Sequence, residues 1–187
     1  MSTARRLNYT YDEYLKTLEL SPLKLEFWGG EILAMAGGTP EHNALATQLA
    51  IMLGARLPKG CRVFTAEAKI RSVAADVSVF PDVSVVCGRV ERASDDKNAI
   101  SNPGLVVEVL SPSTEEFDRG AKLKHYQAMK SVSAVWLVSN PKARITLFER
   151  HLKGWKATER GAGEQLTLAA PALTIDVDEL YAVLDGF

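Results

Sequence analysis

A short apolar run in the middle of the chain, Leu105-Val106-Val107-Glu108-Val109-Leu110, constrains the fold more than any other feature. Such a run is typical of a β-strand that is covered on both faces of its sheet. Its one charged residue is Glu108, and burying an unpaired carboxylate costs several kcal/mol, so a buried Glu108 needs a cation or a hydrogen-bond donor beside it. On an edge strand or an open sheet face the same side chain would be solvated, and the sequence leaves both interpretations open.

Helical and strand patterns alternate on both sides of this run. After it, a helix is predicted from about Phe117 to Lys130, and a second apolar strand follows at Ser133–Val138. This order gives a strand–helix–strand crossover. Before it, residues 61–71 and 77–86 carry the alternation and the β-branched residues of antiparallel or mixed strands. The fold class is therefore α/β or α+β, with a mixed β-sheet.

The N-terminal part of the chain is predicted to contain two helices with a β-hairpin between them. A capping box at Thr10–Glu13 starts a short helix that runs to about Leu18. Two strand-like runs within residues 23–35 flank Gly29-Gly30, and a glycine pair can supply the positive φ of a tight turn. The clearest helix follows at residues 39–57, where a capping threonine precedes a first-turn proline.

The C-terminal part is predicted to close the fold with antiparallel strands. Residues 144–150, 155–158 and 165–168 have the pattern of a meander, and residues 177–184 that of a last short helix. The polar stretch 89–103 is typical of a loop. Because the chain shows no repeat and no linker, we expect residues 1–187 to form a single domain.

Length and composition are those of an ordinary globular protein. The 187 residues are 47% hydrophobic and 24% charged, enough to bury a core without disulfides or metals. The N-terminus lacks the apolar segment of a signal peptide, and no stretch reaches the roughly 18 apolar residues of a membrane span. We therefore expect a cytoplasmic protein with no membrane contact. No other Cys or His lies near Cys61 or Cys87 at the spacing of metal ligands. We therefore expect both to be reduced thiols on core strands.

Two carboxylates on neighbouring strands are candidates for a metal site. Asp82 follows Pro81 at the head of an apolar strand, and Glu108 lies within the next long apolar strand. Mg²⁺ and Mn²⁺ prefer carboxylate oxygens and keep water ligands that can react. Because proline and aspartate are also ordinary strand-boundary residues, the pair of acids carries more weight than Asp82 alone.

Lys122 is the third candidate, since helical geometry directs it toward the core. On the predicted helix the apolar stripe is Leu123, Tyr126 and Met129, and Lys122 projects between the last two. Lys124 points nearly away from the stripe and is expected to be solvated. The alternative for Lys122 is a side chain that lays its stem on the core and keeps its ammonium group in water.

These residues resemble, in order and spacing, the Uma-two family of the restriction-endonuclease-like superfamily. The resemblance covers about Tyr9 to Leu184, which is nearly the whole chain. Its most specific block is Glu-Val-Leu-Ser-Pro-Ser-Thr at 108–114. The other matching segments are Pro81-Asp82, Asp118-Arg119-Gly120-Ala121-Lys122-Leu123, Tyr126, the hairpin at 25–33, Pro40-Glu41-His42 and Val135-Trp136-Leu137-Val138.

The resemblance implies a nuclease of the PD-(D/E)xK type. The superfamily pattern is an Asp on one strand, and an Asp or Glu, any residue and a Lys on the next, around a divalent metal ion. Asp82 and Glu108 match the two acids, but Leu110 stands where the lysine is expected. The resemblance implies that Lys122, on the following helix, takes the place of that lysine.

Two further residues and a reaction follow from the same resemblance. Glu26 matches an acidic position of the family's first hairpin. His42 matches a family histidine without a clear role. It ranks below the other site residues, because a lone histidine near a helix start more often caps the helix or packs in the core.

Residues 111–114 are expected to cap the next helix, with a position beside the metal as the alternative. The implied activity is Mg²⁺- or Mn²⁺-dependent hydrolysis of phosphodiester bonds in DNA, by a homodimer.

The charge balance argues against a uniformly basic, nucleic-acid-binding surface, because 22 Lys and Arg face 23 Asp and Glu for a net charge of −1. Local phosphate contacts remain available at six basic side chains: Lys69, Arg71, Arg89, Arg92, Arg119 and Lys124. The alternative function is a catalytically inactive nuclease-fold module for binding or oligomerisation, in which the polar residues form only a structural network. Trp28 and Trp155 are the candidate exposed aromatics of an interface.

Overall fold

The computed structural model describes residues 8–35, 37–169 and 171–187. Its helices are α1 (Tyr11–Leu20), α2 (Pro40–Arg56), α3 (Glu115–Phe117), α4 (Leu123–Ala128) and α5 (Val177–Tyr181). A π-helical turn, Asp118–Lys122, joins α3 to α4, and a 3₁₀ turn, Ala182–Leu184, follows α5. The strands are β1 (Leu25–Trp28), β2 (Glu31–Ala34), β3 (Cys61–Thr65), β4 (Lys69–Ser72), β5 (Val77–Val79), β6 (Val83–Cys87), β7 (Ala99–Ile100), β8 (Leu105–Val109), β9 (Ala134–Val138), β10 (Arg144–His151), β11 (Gly154–Gly161), β12 (Gln165–Leu168) and β13 (Leu173–Asp176). Among these described helices, none combines the length and the apolar character that crossing a membrane requires.

Six strands form a central sheet in the order β11-β10-β9-β8-β6-β3. The neighbours β8 and β9 are parallel and are connected by the segment that contains α3 and α4, whereas the other neighbours are antiparallel. Every residue of β8 and β9 is buried, as expected for strands covered on both faces. The predicted mixed sheet and its crossover are therefore confirmed.

A second sheet has the order β2-β1-β5-β4-β7 and begins with the predicted hairpin. Gly29 and Gly30 both have positive φ in the hairpin turn, which is the conformation that glycine adopts without strain. The prediction of a hairpin within residues 23–35 is confirmed.

The two long strand predictions, 61–71 and 77–86, are each divided between the two sheets. Their outer halves, β3 and β6, pair in the central sheet, and their inner halves, β4 and β5, pair in the second sheet. A turn in which the Ala68 N–H donates to the Thr65 carbonyl separates β3 from β4. Alternation cannot reveal this break, because both halves keep a period of two residues.

Both N-terminal helices begin where their caps predict. The Thr10 hydroxyl accepts the Glu13 N–H, and the Glu13 carboxylate accepts the Thr10 N–H at 2.8 Å, which completes the capping box. The Thr39 hydroxyl likewise accepts the His42 N–H at the start of α2. The fixed start of α2 determines where the His42 side chain emerges.

Two clusters of buried apolar side chains cover the two faces of the central sheet. One lies under α2 and α5, and the other lies between the sheet, α4 and the second sheet. Because side chains alternate along a strand, Leu105, Val107 and Val109 of β8 face α2, while Val106 and Glu108 face α4. The chain therefore directs the one charged residue of β8 into the layer between α4 and the second sheet.

The predicted C-terminal meander is confirmed for two of its three strands. β10 and β11 form a hairpin that extends the central sheet beside β9. β12 does not join them: it pairs with β13 in a separate two-stranded sheet. The apolar side chains Leu166 and Leu168 of β12 pack into the cluster under α2, so β12 and β13 cover the core instead of extending the central sheet. The last helix, predicted over 177–184, is present as α5 and its 3₁₀ turn.

The prediction for the cysteines is wrong. Cys61 of β3 and Cys87 of β6 lie directly opposite each other in the antiparallel register and form a disulfide. Cys61 is half-buried and Cys87 is exposed, so the pair lies at the rim of the sheet and not in the core. Their separation of 26 residues carried no signal, because the pairing depends on strand register, which spacing does not reveal.

Candidate functional site

The pairing of β6 with β8 brings the two predicted acids together. Val83 lies opposite Val107, so one further step along both strands places Asp82 opposite Glu108. The Val109 N–H donates to Asp82 Oδ2 at 2.7 Å, which fixes the aspartate against the end of β8. The two carboxylates line the same cleft.

Glu108 is buried, so the alternative of a solvated carboxylate is wrong. Its side chain is 3% exposed on the α4 side of the sheet. The Tyr126 O–H donates to Glu108 Oε1 at 2.6 Å, and the Lys122 Nζ lies 3.2 Å from the same oxygen. The donor and the cation that a buried Glu108 requires both come from the helix that follows its strand.

Lys122 faces inward, as the helical geometry predicts, and its ammonium group is not in water. Its Nζ lies 3.1 Å from Glu26 Oε1, 3.2 Å from Glu108 Oε1 and 3.6 Å from Asp118 Oδ1. Lys122 ends the π-helical turn that Asp118 begins, and both side chains are buried. Such turns are frequent at functional sites, and this one places two charged side chains in the same cleft. Lys124 is exposed, as predicted.

Glu26 joins the second sheet to this cluster. It is 3% exposed in β1, where the Phe80 N–H donates to its Oε1 at 3.2 Å and the Trp28 indole N–H donates to its Oε2 at 3.3 Å. The Phe80 contact ties Glu26 to the segment that leads into Asp82. The structure therefore places the acidic residue of the hairpin beside Lys122, where the resemblance implies a site residue.

His42 also reaches the site, beside Asp82. Its Nε2 lies 3.3 Å from Asp82 Oδ2, and the hydrogen bond to this carboxylate raises the pKa of His42. A Cβ atom at Gly38 would lie 2.6 Å from His42 Nδ1, so the loop before α2 approaches the ring closely. His42 is half-buried against the aspartate and does not act as a helix cap through its side chain.

The cluster holds more negative than positive charge. Burial raises the pKa of Glu108 to about 8, and the charges of Asp82 and Asp118 add to this effect while Lys122 opposes it. Burial also raises the pKa of Asp118. For Lys122, burial lowers the pKa, but the carboxylates of Glu108 and Glu26 outweigh this effect and the pKa is raised overall. One lysine therefore stays charged among carboxylates that repel one another.

A cleft of about 350 Å³ opens onto these side chains. One wall is apolar and includes Leu33 and Met35, and Phe117 lies at the start of the π-helical turn. Asp118 belongs to the cleft although the sequence did not single it out as a site residue. Its signal was present in the spacing, because a residue four positions before an inward-facing Lys122 shares its helix face.

The donor set of the cleft fits a hard divalent cation. Among the described residues, no three His, Cys, Asp or Glu side chains come together as a ready metal site. Mg²⁺ does not need such a cage, since it is usually held by one or two carboxylates and keeps several waters. Asp82 and Glu108 supply two carboxylates, and a cation beside them would favour the ionised form of Glu108, which burial and then the charges of Asp82 and Asp118 disfavour.

The segment 111–114 lies beside the cleft instead of capping the helix, so the capping prediction is wrong. Thr114 is the N-cap of α3 but makes no capping hydrogen bond with its side chain. The Ser111 hydroxyl is 3.0 Å from that of Ser113 and 2.9 Å from that of Thr114, and all three line the cleft. In the turn that follows β8, the Ser111 hydroxyl therefore joins those of Ser113 and Thr114.

The predicted phosphate contacts divide into buried and exposed groups. Lys69 and Arg71 are buried in ion pairs with Asp96 and Asp95, and they are not available to a ligand. Arg119 is half-buried and pairs with Glu115. The exposed members are Arg89, Arg92 and Lys124.

The two candidate interface tryptophans are packed, not exposed. Trp28 is half-buried and contacts the rings of Phe117 and His125 at centroid distances of 5.0 and 5.5 Å. Trp155 is also half-buried, and the Arg150 guanidinium lies 4.5 Å from its ring centroid. Trp28 supports the site through its hydrogen bond to Glu26.

Replacing Tyr126 with phenylalanine should lower the free energy of unfolding by about 1–3 kcal/mol, because the buried Glu108 loses a hydrogen-bond donor. The measurement is urea unfolding at pH 8 without divalent ions. Tyr9→Phe is the matched control, because Tyr9 is 37% exposed and should change the stability by less than about 0.5 kcal/mol. Equal effects of the two substitutions would contradict a role for the Tyr126 hydroxyl in holding Glu108.

Comparisons with known proteins identify the family and the fold of the chain. The sequence model of the Uma2 (Uma-two) family, described as "Putative restriction endonuclease", matches residues 11–178. Two uncharacterized proteins of Synechocystis sp. (strain ATCC 27184 / PCC 6803 / Kazusa) are similar: one is 35% identical, covering 91% of this chain and 90% of the relative, and the other is 27% identical, covering 75% and 80%. The crystal structure of a "putative nuclease belonging to DUF820" from Anabaena variabilis ATCC 29413 superposes with a TM-score of 0.77 at 18% identity, covering 94% of this chain and 99% of that one. This similarity confirms the predicted fold class.

Proposed function

Because the chain belongs to the Uma2 family of "putative restriction endonucleases", we propose that it is a metal-dependent endonuclease that hydrolyses phosphodiester bonds in DNA. The observation that carries the proposal is the cluster in which Lys122 contacts Glu26 and Glu108, next to Asp82 and at the base of one cleft. These residue types at these places are what hydrolysis of a phosphodiester requires: carboxylates for a metal ion and a cation for the charge of the transition state.

Each side chain has a defined part in this proposal. Asp82 and Glu108 would hold Mg²⁺ or Mn²⁺, which when bound would supply Lewis-acid chemistry and a more acidic water. The Lys122 ammonium group stays charged and stabilises the negative charge that develops on the phosphate. His42 fixes the Asp82 carboxylate, and Tyr126 fixes that of Glu108.

The test is cleavage of supercoiled plasmid and of labelled single strands in Mg²⁺ or Mn²⁺. We expect Asp82→Asn and Glu108→Gln to abolish cleavage, because each removes a charge and keeps the shape of the side chain. Glu19→Gln is the control for loss of one carboxylate, since Glu19 is exposed on α1 and should leave the rate unchanged. Cleavage that persists in both site variants would come from a contaminant and would contradict the proposal.

Thermal unfolding tests metal binding apart from activity. A ligand that binds only the folded state raises its stability, so Mn²⁺ should raise the melting temperature of the wild type and not that of Asp82→Asn. If neither cleavage nor an ion-dependent shift is found, the module without catalytic activity becomes the better account of the same residues.

We also propose that the active form is a homodimer, because the resemblance implies that two copies cleave the two strands. Light scattering coupled to size-exclusion chromatography checks this directly, with an expected mass of twice 20.4 kDa. A monomer at micromolar concentration would contradict it.

A further inference from the structure

A second cleft, separate from the carboxylates, lies where the edge strands of the two sheets meet. It has a volume of about 320 Å³ and is lined by Phe64 of β3, by Ala99 and Ile100 of β7, and by the loop between β6 and β7. No residue that lines it also lines the carboxylate cleft. Its floor is apolar, because Phe64 and Val90 are only partly buried against the cluster between the sheets.

The loop over this cleft presents positive charge, although its sequence is balanced. Residues 89–98 contain three basic and three acidic side chains. Two of the three acids are paired with buried cations: Asp95, itself exposed, lies 2.8 Å from Arg71, and the buried Asp96 lies 2.6 Å from Lys69. These two pairs leave the three exposed cations of the loop against one further acid, Glu91.

Two of these cations, Arg92 and Lys97, stand at the rim of the cleft. Both are exposed. Arg92 is held in place, since its Nη1 donates to the Lys97 carbonyl at 2.6 Å. Within the described part of the chain, no carboxylate lies within ion-pair distance of either side chain. The rim therefore offers two cations that have no ion-pair partner among the described residues.

We propose that this cleft is a binding site for one unpaired nucleotide of a nucleic acid strand, with the base on Phe64 and its phosphates at Arg92 and Lys97. An aromatic face beside cations is the arrangement by which proteins hold single strands, because stacking takes any base and the cations follow the backbone. The choice of nucleic acid among anionic ligands rests on the proposed function. The site would hold the strand at a distance from the cleavage point and would take no part in the chemistry.

The first experiment measures the affinity for a fluorescent oligothymidylate of about 15 nucleotides by anisotropy, in EDTA so that no cleavage occurs. We expect the double variant Arg92→Glu/Lys97→Glu to bind at least about tenfold more weakly than the wild type at low salt. The slope of log affinity against log salt should fall by about 1.4, since each phosphate contact with a single strand contributes about 0.7. The matched control is Lys153→Glu/Lys156→Glu, which makes the same change of charge at the opposite edge of the central sheet.

The second experiment separates the base from the phosphates. Phe64→Leu keeps an apolar side chain and removes the aromatic face, so it should weaken oligothymidylate binding at least about fivefold, the low end of what base stacking contributes. The same variant should bind an abasic oligonucleotide as the wild type does. Circular dichroism melting confirms that the variants are folded.

The outcomes distinguish this site from the proposed activity. Equal losses in the rim variant and its matched control, or no loss in the rim variant, would overturn the site even if the wild type cleaves DNA. Loss confined to the rim variant would support the site even if no cleavage is found, and the endonuclease proposal alone would then fail. A polyglutamate peptide that binds at the rim while oligothymidylate does not would overturn the assignment in favour of an acidic protein partner.

Discussion

Replacing Lys122 with methionine should lower the free energy of unfolding by about 3–5 kcal/mol at pH 8, measured by urea unfolding in EDTA. The substitution keeps most of the length of the side chain and removes the cation that, among the described residues, contacts Glu26, Glu108 and Asp118. These three carboxylates are each 3% exposed, so water cannot replace the lost ammonium group. Breaking a buried ion pair from one side costs more than the pair itself contributes, because the remaining charge stays buried.

The loss of stability in Lys122→Met should depend on pH, and the direction of that dependence is a further test. Without Lys122 the three carboxylates hold protons more tightly in the folded state than in the unfolded state, so the variant should recover stability as the pH falls toward 5. Lys124→Met is the matched variant: it lies two positions further on the same helix, is exposed, and should cost less than about 0.5 kcal/mol at any pH. A Lys122→Met loss no greater than that of Lys124→Met would show that the buried charges are not coupled.

The sequence predicted the centre of this cluster because its signals were local. Glu108 interrupts an apolar strand, and Lys122 takes the inward position on a helix whose stripe is short and clear. Both arguments need only the period of one element. The structure places Lys122 inward as predicted, and it decides between the two interpretations of Glu108 in favour of a buried carboxylate. Their roles in catalysis stay predictions.

The hydrogen bond of Tyr126 was missed for the opposite reason. Tyr126 was assigned to the apolar stripe, and its ring is indeed buried, but its hydroxyl reaches Glu108 only because α4 packs on β8. Contacts between elements of different layers depend on packing, which a pattern within one element does not contain.

The disulfide was missed because strand patterns do not give the pairing between strands. Cys61 and Cys87 meet because β3 and β6 pair in an antiparallel register that places these two residues opposite each other. Both segments, 61–71 and 77–86, were predicted as strands, but no pairing between them was predicted, so nothing brought the two thiols together.

Replacing Glu108 with glutamine should have the opposite effect on stability from Lys122→Met: at pH 9 and in EDTA it should raise the free energy of unfolding by about 2–4 kcal/mol. The pKa of Glu108 in the folded state is about 8, against an ordinary value of 4.5, because burial and the charges of Asp82 and Asp118 disfavour the ionised form. The gain in the free energy of unfolding therefore has an upper limit of about 5 kcal/mol, because each tenfold change in the protonation equilibrium corresponds to about 1.4 kcal/mol. Glutamine cannot ionise and still accepts the hydrogen bond from Tyr126.

The sign follows from which state holds the proton. Between pH 4.5 and about 8 the folded wild type keeps the Glu108 proton while the unfolded chain releases it, so the wild type loses stability as the pH rises through this range. The gain from Glu108→Gln should therefore be near zero at pH 4 and complete by pH 9. Glu19→Gln on the exposed face of α1 is the control for loss of one carboxylate and should give no such rise.

A variant that is more stable and yet inactive would be typical of a site residue whose charge is kept for function at a cost in stability. A Glu108→Gln variant less stable than the wild type at pH 9 would instead make this carboxylate a structural partner of Lys122.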